Sequence, residues 1–346
     1  MSRIDLSPLH EVHVCSNCNT MFPEDEDIYL CSKLNCNGLR YKGSLAAQTH
    51  KTRRPVQMFV FGDVKTQLIS LLETPGIWKD VLEAKEAAFD RFESGSTVLT
   101  DIMDGLAYRS MMVDGGFLSK SSQNLTAIFN TDGVNLFSSS KIDLFPIFIA
   151  INELSPSKRF ARDKIILAGL WQGKGKPPFS QFFKVFADQM NSLYRDGIRI
   201  QIDEEQLNIR LLVLCCIADL PAKAELLNMS YFNGPNACIK CEEPGISVKQ
   251  GKGCAKCYPY KVHDTRSISR NEVSVLRNMQ SGSTNKRSCG FKGFSVLTSL
   301  ENYNIVSGAV PECMHCVLLG VTKTLLSKWF SPTGSKKGYF IGQHLK

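Results

Sequence analysis

Leu125-Thr-Ala-Ile-Phe-Asn-Thr-Asp132-Gly133-Val-Asn-Leu-Phe137 reads as an apolar strand, an Asp-Gly turn and a second strand. An aspartate at that point sits on a rigid sheet edge, which suits a carboxylate that must hold a divalent cation. Asp-Gly is equally one of the commonest hairpin turns. Taken alone, the stretch leaves Asp132 open between a metal ligand and a turn residue.

Working outward, the pattern predicts strands at 125–131, 134–138 and 142–151, joined by short turns into an antiparallel meander. A helix is expected from Phe179 to Arg195, with Phe182, Phe183, Phe186, Met190 and Leu193 on its buried face and Asp196-Gly197 ending it. Leu207 to Ala218 then reads as a buried strand beside the first, with Cys215 and Cys216 as core thiols and Asp219 at its C-terminal end. Strand, strand, strand, helix, strand, with an aspartate on the first and another just past the fourth, is the order of an RNase H-like α/β (α+β) mixed sheet. In it Asp132 and Asp219 converge despite the long interval between them. Two such carboxylates can hold two divalent ions about 4 Å apart, which activate a water or a 3′-hydroxyl for in-line attack on a phosphodiester. Asp219 before Leu-Pro-Ala-Lys is also a good helix N-cap, and one residue can serve both purposes.

Eight of the 13 cysteines fall in four close pairs: Cys15/Cys18, Cys31/Cys36, Cys238/Cys241 and Cys254/Cys257. Closely spaced thiolates share a tetrahedral metal ion, whereas secreted disulfide frameworks spread their cysteines more widely. The reading is a reducing compartment and two structural zinc sites. The first would be a zinc ribbon; His13 is a substitute ligand or a plain polar flank. The second would be a knuckle at about 230–262, where Lys240, Lys249, Lys252, Lys256 and Lys261 interleave with Tyr258 and Tyr260. It would be a purely structural staple or a DNA-phosphate contact as well.

Hydrophobic residues make up 43% of the 346, enough for a sizeable core. Met1 to Glu11 is mixed polar and does not read as a signal peptide. The longest uncharged apolar runs, Leu144 to Asn152 and Leu211 to Ala218, are far shorter than the roughly 20 residues that span a bilayer. The expectation is a soluble protein with no membrane contact. The net charge of +8 is uneven: residues 246–346 hold 15 Lys or Arg against 4 Asp or Glu, a net +11, and the other 245 residues carry −3. Such a basic region points to a polyanion, nucleic acid first, the alternative being a solvated surface.

Between ribbon and first strand, Thr49 to Pro55 reads as a basic linker and Val56 to Phe61 as a strand. Helices are expected at 64–72, 77–92 and 102–109, with no chemistry in the region. Ser281 to Arg287 reads as a mobile loop, and Val317 to Phe330 as an amphipathic helix with a basic face. Ahead of that helix, Glu312 and His315 are three apart and can face one pocket, although a lone histidine there is more often structural. The expected organisation is a ribbon at 1–45, a helical linker region at 46–120 and the mixed-sheet domain at 121–346.

Phe129-Asn-Thr-Asp-Gly-Val134, Leu167-Ala-Gly-Leu-Trp171, Asp219-Leu-Pro-Ala-Lys-Ala224, Phe232-Asn-Gly234, Cys238-Ile-Lys-Cys241, Tyr258-Pro-Tyr260 and Met314-His-Cys-Val-Leu-Leu-Gly-Val-Thr-Lys323 together resemble the transposases of CACTA (En/Spm-like) DNA transposons. The resemblance covers about residues 125 to 330. It implies a DDE-type nuclease with a zinc-binding insertion, magnesium or manganese as catalytic ion, and transposon ends and target DNA as partners. It also implies a nuclear location and a possible homo-oligomer. Asp132 then matches the first catalytic aspartate and Asp219 the second; Glu312 and His315 fall on the acidic-x-x-His motif, where Asp or Cys is more usual. Cys254 falls where relatives often carry histidine. The third acid of the triad is expected on a helix beyond His315, but no Asp or Glu follows Glu312. A catalytic domain cut short before its last acid is therefore expected. That leaves two principal readings, a metal-dependent cut-and-paste transposase or a non-catalytic zinc-containing DNA-binding derivative. A zinc-stabilised protein-interaction module is the third.

Overall fold

The computed structural model describes residues 9–24, 28–43, 53–135, 142–259, 268–285, 287–331 and 338–341. Its strands are β1 (Leu9–Val14), β2 (Gln57–Gly62), β3 (Leu125–Thr131), β4 (Val134–Asn135), β5 (Asp143–Ile151), β6 (Ile166–Gly173), β7 (Ile198–Ile202), β8 (Glu205–Ile209), β9 (Leu211–Ala218), β10 (Ile246–Gln250), β11 (Gly253–Cys257) and β12 (Ala309–Pro311). Its α-helices are α1 (Val64–Leu72), α2 (Ile77–Glu93), α3 (Leu106–Met112), α4 (Pro156–Arg159), α5 (Phe179–Arg195), α6 (Leu220–Leu226), α7 (Glu272–Asn285) and α8 (Lys323–Phe330), the last continuing a π-helical segment, Met314–Thr322. No helix is long and apolar enough to cross a membrane.

One mixed sheet organises the molecule, in the order β1-β2-β6-β5-β3-β9-β12 with β4 against β5. β5 runs antiparallel to both of its neighbours, β3 and β6, whereas β9 joins β3, and β12 joins β9, in parallel. Such parallel neighbours need long crossovers. The first runs through α5 and the β7–β8 hairpin, and the second through α6, the β10–β11 hairpin and α7.

Helix α5 covers one face of the sheet with the predicted bounds and the predicted buried residues, Phe182, Phe183, Phe186, Met190 and Leu193. Phe186 lies 4.9 Å from Phe129 of β3, and Phe182 stacks at 5.1 Å on Phe59 of β2, which in turn contacts Trp171 of β6. Helices α1 and α2, at the expected positions, add Val64, Leu68, Leu72, Ile77 and Val81 to the same core. β1, the strand leading into the first cysteine pair, is an edge of this sheet through its pairing with β2.

Several expectations change. Asp132-Gly133 is not a hairpin turn. Thr131 pairs with Ile147 and Val134 with Leu144, so the chain runs straight along β5 through Asp132 and Gly133. The meander is β3-β5-β6, not three strands ending at 151, and the end of the expected 134–138 strand lies outside the described residues. Leu207 to Ala218 divides at Arg210 into β8, in its own hairpin, and β9, in the sheet. The expected 102–109 helix is a 3-10 turn over Ile102–Asp104, capped by Asp101, followed by α3. Ser281 to Asn285 is the end of α7 and not a loop. Val275 and Met279 bury its inner face, and a Cβ at Gly282 would stand 2.5 Å from the Phe291 carbonyl, so glycine is what lets that polar stretch pack.

Because Phe186 joins α5 to β3, Phe186→Ala should cost about 3–5 kcal/mol in urea unfolding.

Candidate metal and nucleic-acid site

The site begins with register. Asn130 of β3 stands beside Ile217 of β9, and Ala218 of β9 beside Pro311 of β12. Two residues beyond Asn130 is Asp132, two beyond Ile217 is Asp219, and one beyond Pro311 is Glu312. Three carboxylates therefore leave the C-terminal ends of three adjacent parallel strands, where open α/β sheets present their ligand crevices. The Asn130 Nδ2 donates to the Ile217 carbonyl at 2.7 Å and fixes the first pair of strands just below the acids.

Asp132 is shaped by its neighbour. The Gly133 amide donates to Asp132 Oδ1 at 2.7 Å, and a Cβ on Gly133 would meet the Phe145 ring at 2.7 Å. Any side chain at 133 would force the Phe145 ring to shift, so glycine is what leaves room for the ring beside the aspartate. Asp219 does cap α6, its Oδ1 accepting from the Ala222 amide at 2.7 Å. Glu312 starts the π-helical segment: Oε1 accepts from the Met314 amide at 2.6 Å, and Oε2 from the His315 amide at 2.6 Å. His315 Nδ1 lies 2.8 Å from the same Oε2, so the expected Glu312–His315 contact is present. π-Segments of this kind are frequent at functional sites.

The acids share one electrostatic environment. Burial chiefly, and then Asp219 and Glu312, hold the Asp132 carboxyl above its usual pKa, against the Gly133 amide and His315, which pull it down. Glu312 is lowered, its burial outweighed by the His315 and Met314 amides and the His315 ring. A carboxyl raised partly by neighbouring acids, as Asp132 is, suits a divalent cation, which would relieve the repulsion.

The N-terminal cysteines make a second site. Cys15, Cys18, Cys31 and Cys36 place their sulfurs within 4.8 Å of one another, the single such His/Cys/Asp/Glu group among the described residues. The Cys15–Cys36 and Cys18–Cys31 sulfurs are 3.6 and 3.4 Å apart, close to the edge of about 3.8 Å that a tetrahedron of 2.3 Å zinc–sulfur bonds requires. Both pairs sit on turns, opened at Asn19 and Asn35 by positive φ. Hydrogen bonds with Thr20 lower Cys18 to about 6, so one thiolate is at hand at neutral pH. The four residues fit zinc, and four protein ligands would leave it no open position, which makes the ion structural. His13 is not among them: its Nδ1 accepts from Arg40 Nε at 2.9 Å.

The later cysteines behave differently. Cys238 and Cys241 flank one tight turn, with the Lys240 amide 3.3 Å from the Cys238 sulfur. Arg270, fully buried in its side chain, donates through Nε to the Cys238 and Cys241 carbonyls and through Nη2 to those of Asn236 and Cys289. Cys254 and Cys257 lie on β11, a regular strand in which residues three apart face opposite sides. The structure therefore does not gather Cys238, Cys241, Cys254 and Cys257 into one ligand set, as their spacing alone suggested. Arg270, which ties this turn together, went unnoticed in the sequence because nothing local marks a buried arginine.

The profile of transposase family tnp2 matches residues 96–294, well over half the chain and including both Asp132 and Asp219. No curated protein matches the chain. The protein is thus transposase-like, of a class whose substrate in general is DNA. It belongs to the transposase family tnp2.

Two outcomes check the sites. Cys31→Ser should abolish zinc retained through dialysis, read by elemental analysis, and lower the thermal midpoint. For Asp132 the folded pKa is raised, so native stability falls as pH climbs from the unfolded carboxyl value toward the folded one and stays reduced above it. Asp132→Asn should therefore melt higher than the parent at pH 7.5 without added divalent ion and show no such advantage at pH 4, and added manganese should stabilise the parent more than the variant.

Proposed function

We propose that this chain is a DDE-type transposase unit of the CACTA kind on an RNase H-like sheet, acting on DNA through Asp132, Asp219 and Glu312. The observation that carries the reading is the presence of three carboxylates at the ends of β3, β9 and β12, three strands in parallel register. The strand order β6-β5-β3-β9-β12, antiparallel on one side of β3 and parallel on the other, supports the fold reading. Glu312 takes the place expected of a later acid.

Magnesium or manganese, when bound, would supply the Lewis acidity that polarises a phosphodiester and activates the attacking oxygen. The chain's own residues set the geometry. Asp132, held by the Gly133 amide, and Asp219, held by its cap to Ala222, present fixed carboxylates. Glu312 fixes the His315 ring through Nδ1, which leaves Nε2 to exchange a proton with the attacking water or the departing 3′-oxygen. A water-derived or 3′-hydroxyl oxygen forms the new bond to phosphorus, the bond to the leaving 3′-oxygen breaks, and the proton lost by the nucleophile is taken up at the leaving group's side.

The basic 246–346 segment supports transposon ends and target DNA as substrate, with a nuclear location and homo-oligomeric assembly following from that chemistry. The second reading, a non-catalytic zinc-containing DNA-binding derivative, is favoured by one observation. Asp219 and Glu312 both spend carboxylate oxygens on helix starts.

Nicking of supercoiled DNA in manganese decides between them. The transposase reading expects nicking that falls at least about 100-fold in each of Asp132→Ala, Asp219→Ala and Glu312→Ala. Salt-sensitive DNA binding without nicking in the parent would establish the non-catalytic derivative instead.

A further inference from the structure

Beside the acids lies a cavity of about 150 Å³, walled by Leu220, Leu227, Met229, Phe232 and Ile239 and closed by Pro311 and Cys316. Its position ties it to the site. Leu220 directly follows Asp219, and Pro311 directly precedes Glu312, so the cavity wall includes the neighbours of two of the three carboxylates.

Lys223 also lines this cavity and is only 5% exposed. Its Nζ is buried and has no hydrogen-bond partner among the described residues. Burial lowers its pKa, and the groups that act on it electrostatically are Cys216, Cys316, Lys240 and Asp219. Lys240, at the same wall, is engaged with the Val306 carbonyl. An unpaired buried ammonium costs several kcal/mol unless an acceptor arrives to meet it. None of the described residues supplies that acceptor.

We propose that the cavity receives one unstacked nucleobase of the DNA strand lying over the acids, and that Lys223 donates to a carbonyl oxygen of that base. The inference rests on the DNA-acting reading of the acid site and names how that site grips its substrate. Size supports it, since an apolar cavity of this volume holds a single aromatic ring. Wall chemistry supports it too. A phosphate would need several donors around it, whereas a base needs apolar faces and one or two polar contacts at its edge. Thymine, with two carbonyl oxygens, is the base best matched to a lone ammonium.

The test compares a labelled oligothymidylate with an abasic strand of the same length and charge, by fluorescence anisotropy at fixed salt, using the full chain. The parent should bind the oligothymidylate about 10-fold more tightly, the equivalent of one base's stacking at about 1.4 kcal/mol. Lys223→Met removes the ammonium but keeps the packing, and Ala237→Phe, at another residue of the cavity lining, fills the space with Lys223 intact. Both should bring the ratio close to one while leaving abasic-strand affinity unchanged. Equal binding of the two strands by the parent, or a preference that survives in both variants, overturns the proposal. Manganese-dependent nicking with no base preference would leave the catalytic reading standing without the cavity; base preference abolished by the variants in a chain that does not nick would do the reverse. No binding of either strand would overturn both.

Discussion

The parallel register of β3, β9 and β12 is the constraint on which the rest depends. A shift of one residue at either boundary would turn an acid's side chain to the opposite face of the sheet. Two features hold the register. One is the Asn130 side chain bound to the Ile217 carbonyl, next to the acids. The other is the packing of α5 across β3, where Phe129 meets Phe183 and Phe186.

The far end of β3 is fixed by a different kind of contact. Glu153, wholly buried, accepts from the Thr126 amide and hydroxyl, and the Asn152 amide donates to the Thr126 carbonyl. Burial raises the Glu153 carboxyl and the Lys85 ammonium offsets it. Arg159 continues the anchor by meeting both Asp101 oxygens, at 2.6 and 2.7 Å, and reaching the Leu154 carbonyl. Charges desolvated to this degree are tolerated because each is met by opposite charge or by several donors, and breaking such a set costs far more than it adds when whole. The strand that carries Asp132 is thus pinned at both ends, which is how a fold keeps a carboxylate within the small tolerance that metal chemistry demands.

What the sequence disclosed follows a physical line. Patterns set by local periodicity were legible: α5 with its five named core residues, α1, α2, and the strand carrying Asp132 all follow from side chains spaced by helix or strand geometry. The placing of Asp132 and Asp219 just past neighbouring strands was legible through the order of elements, and the first four cysteines because turns bring their short spacing together. Features fixed by partners distant in sequence were not. Asp132-Gly133 looked like a turn because the dipeptide favours one, yet the facing strand β5 and the Phe145 ring over Gly133 hold it extended. Ser281 to Asn285 looked like a loop because its packing, with Phe291 close over Gly282, comes from residues outside the stretch. Cys254 and Cys257 looked like a knuckle because spacing does not reveal that the chain between them is a strand.

The cysteine cluster and the acids at the sheet ends are built on opposite lines. At the cysteine cluster the protein invests in closure: two turns, mutual sulfur contacts of 3.4 to 3.6 Å and the buried Phe22 shut the site around a staple. At the sheet ends it leaves repulsion in place, with Asp132 held above its normal pKa by burial and by two other acids. A purely structural surface has no use for that arrangement, since one Asp-to-Asn change would relieve it. Helix starts account for Asp219 and Glu312 individually, but not for the electrostatic load that both place on Asp132, which caps nothing. Asp132 is the acid of the three that caps no helix, and its backbone neighbour is the glycine that leaves room for the Phe145 ring.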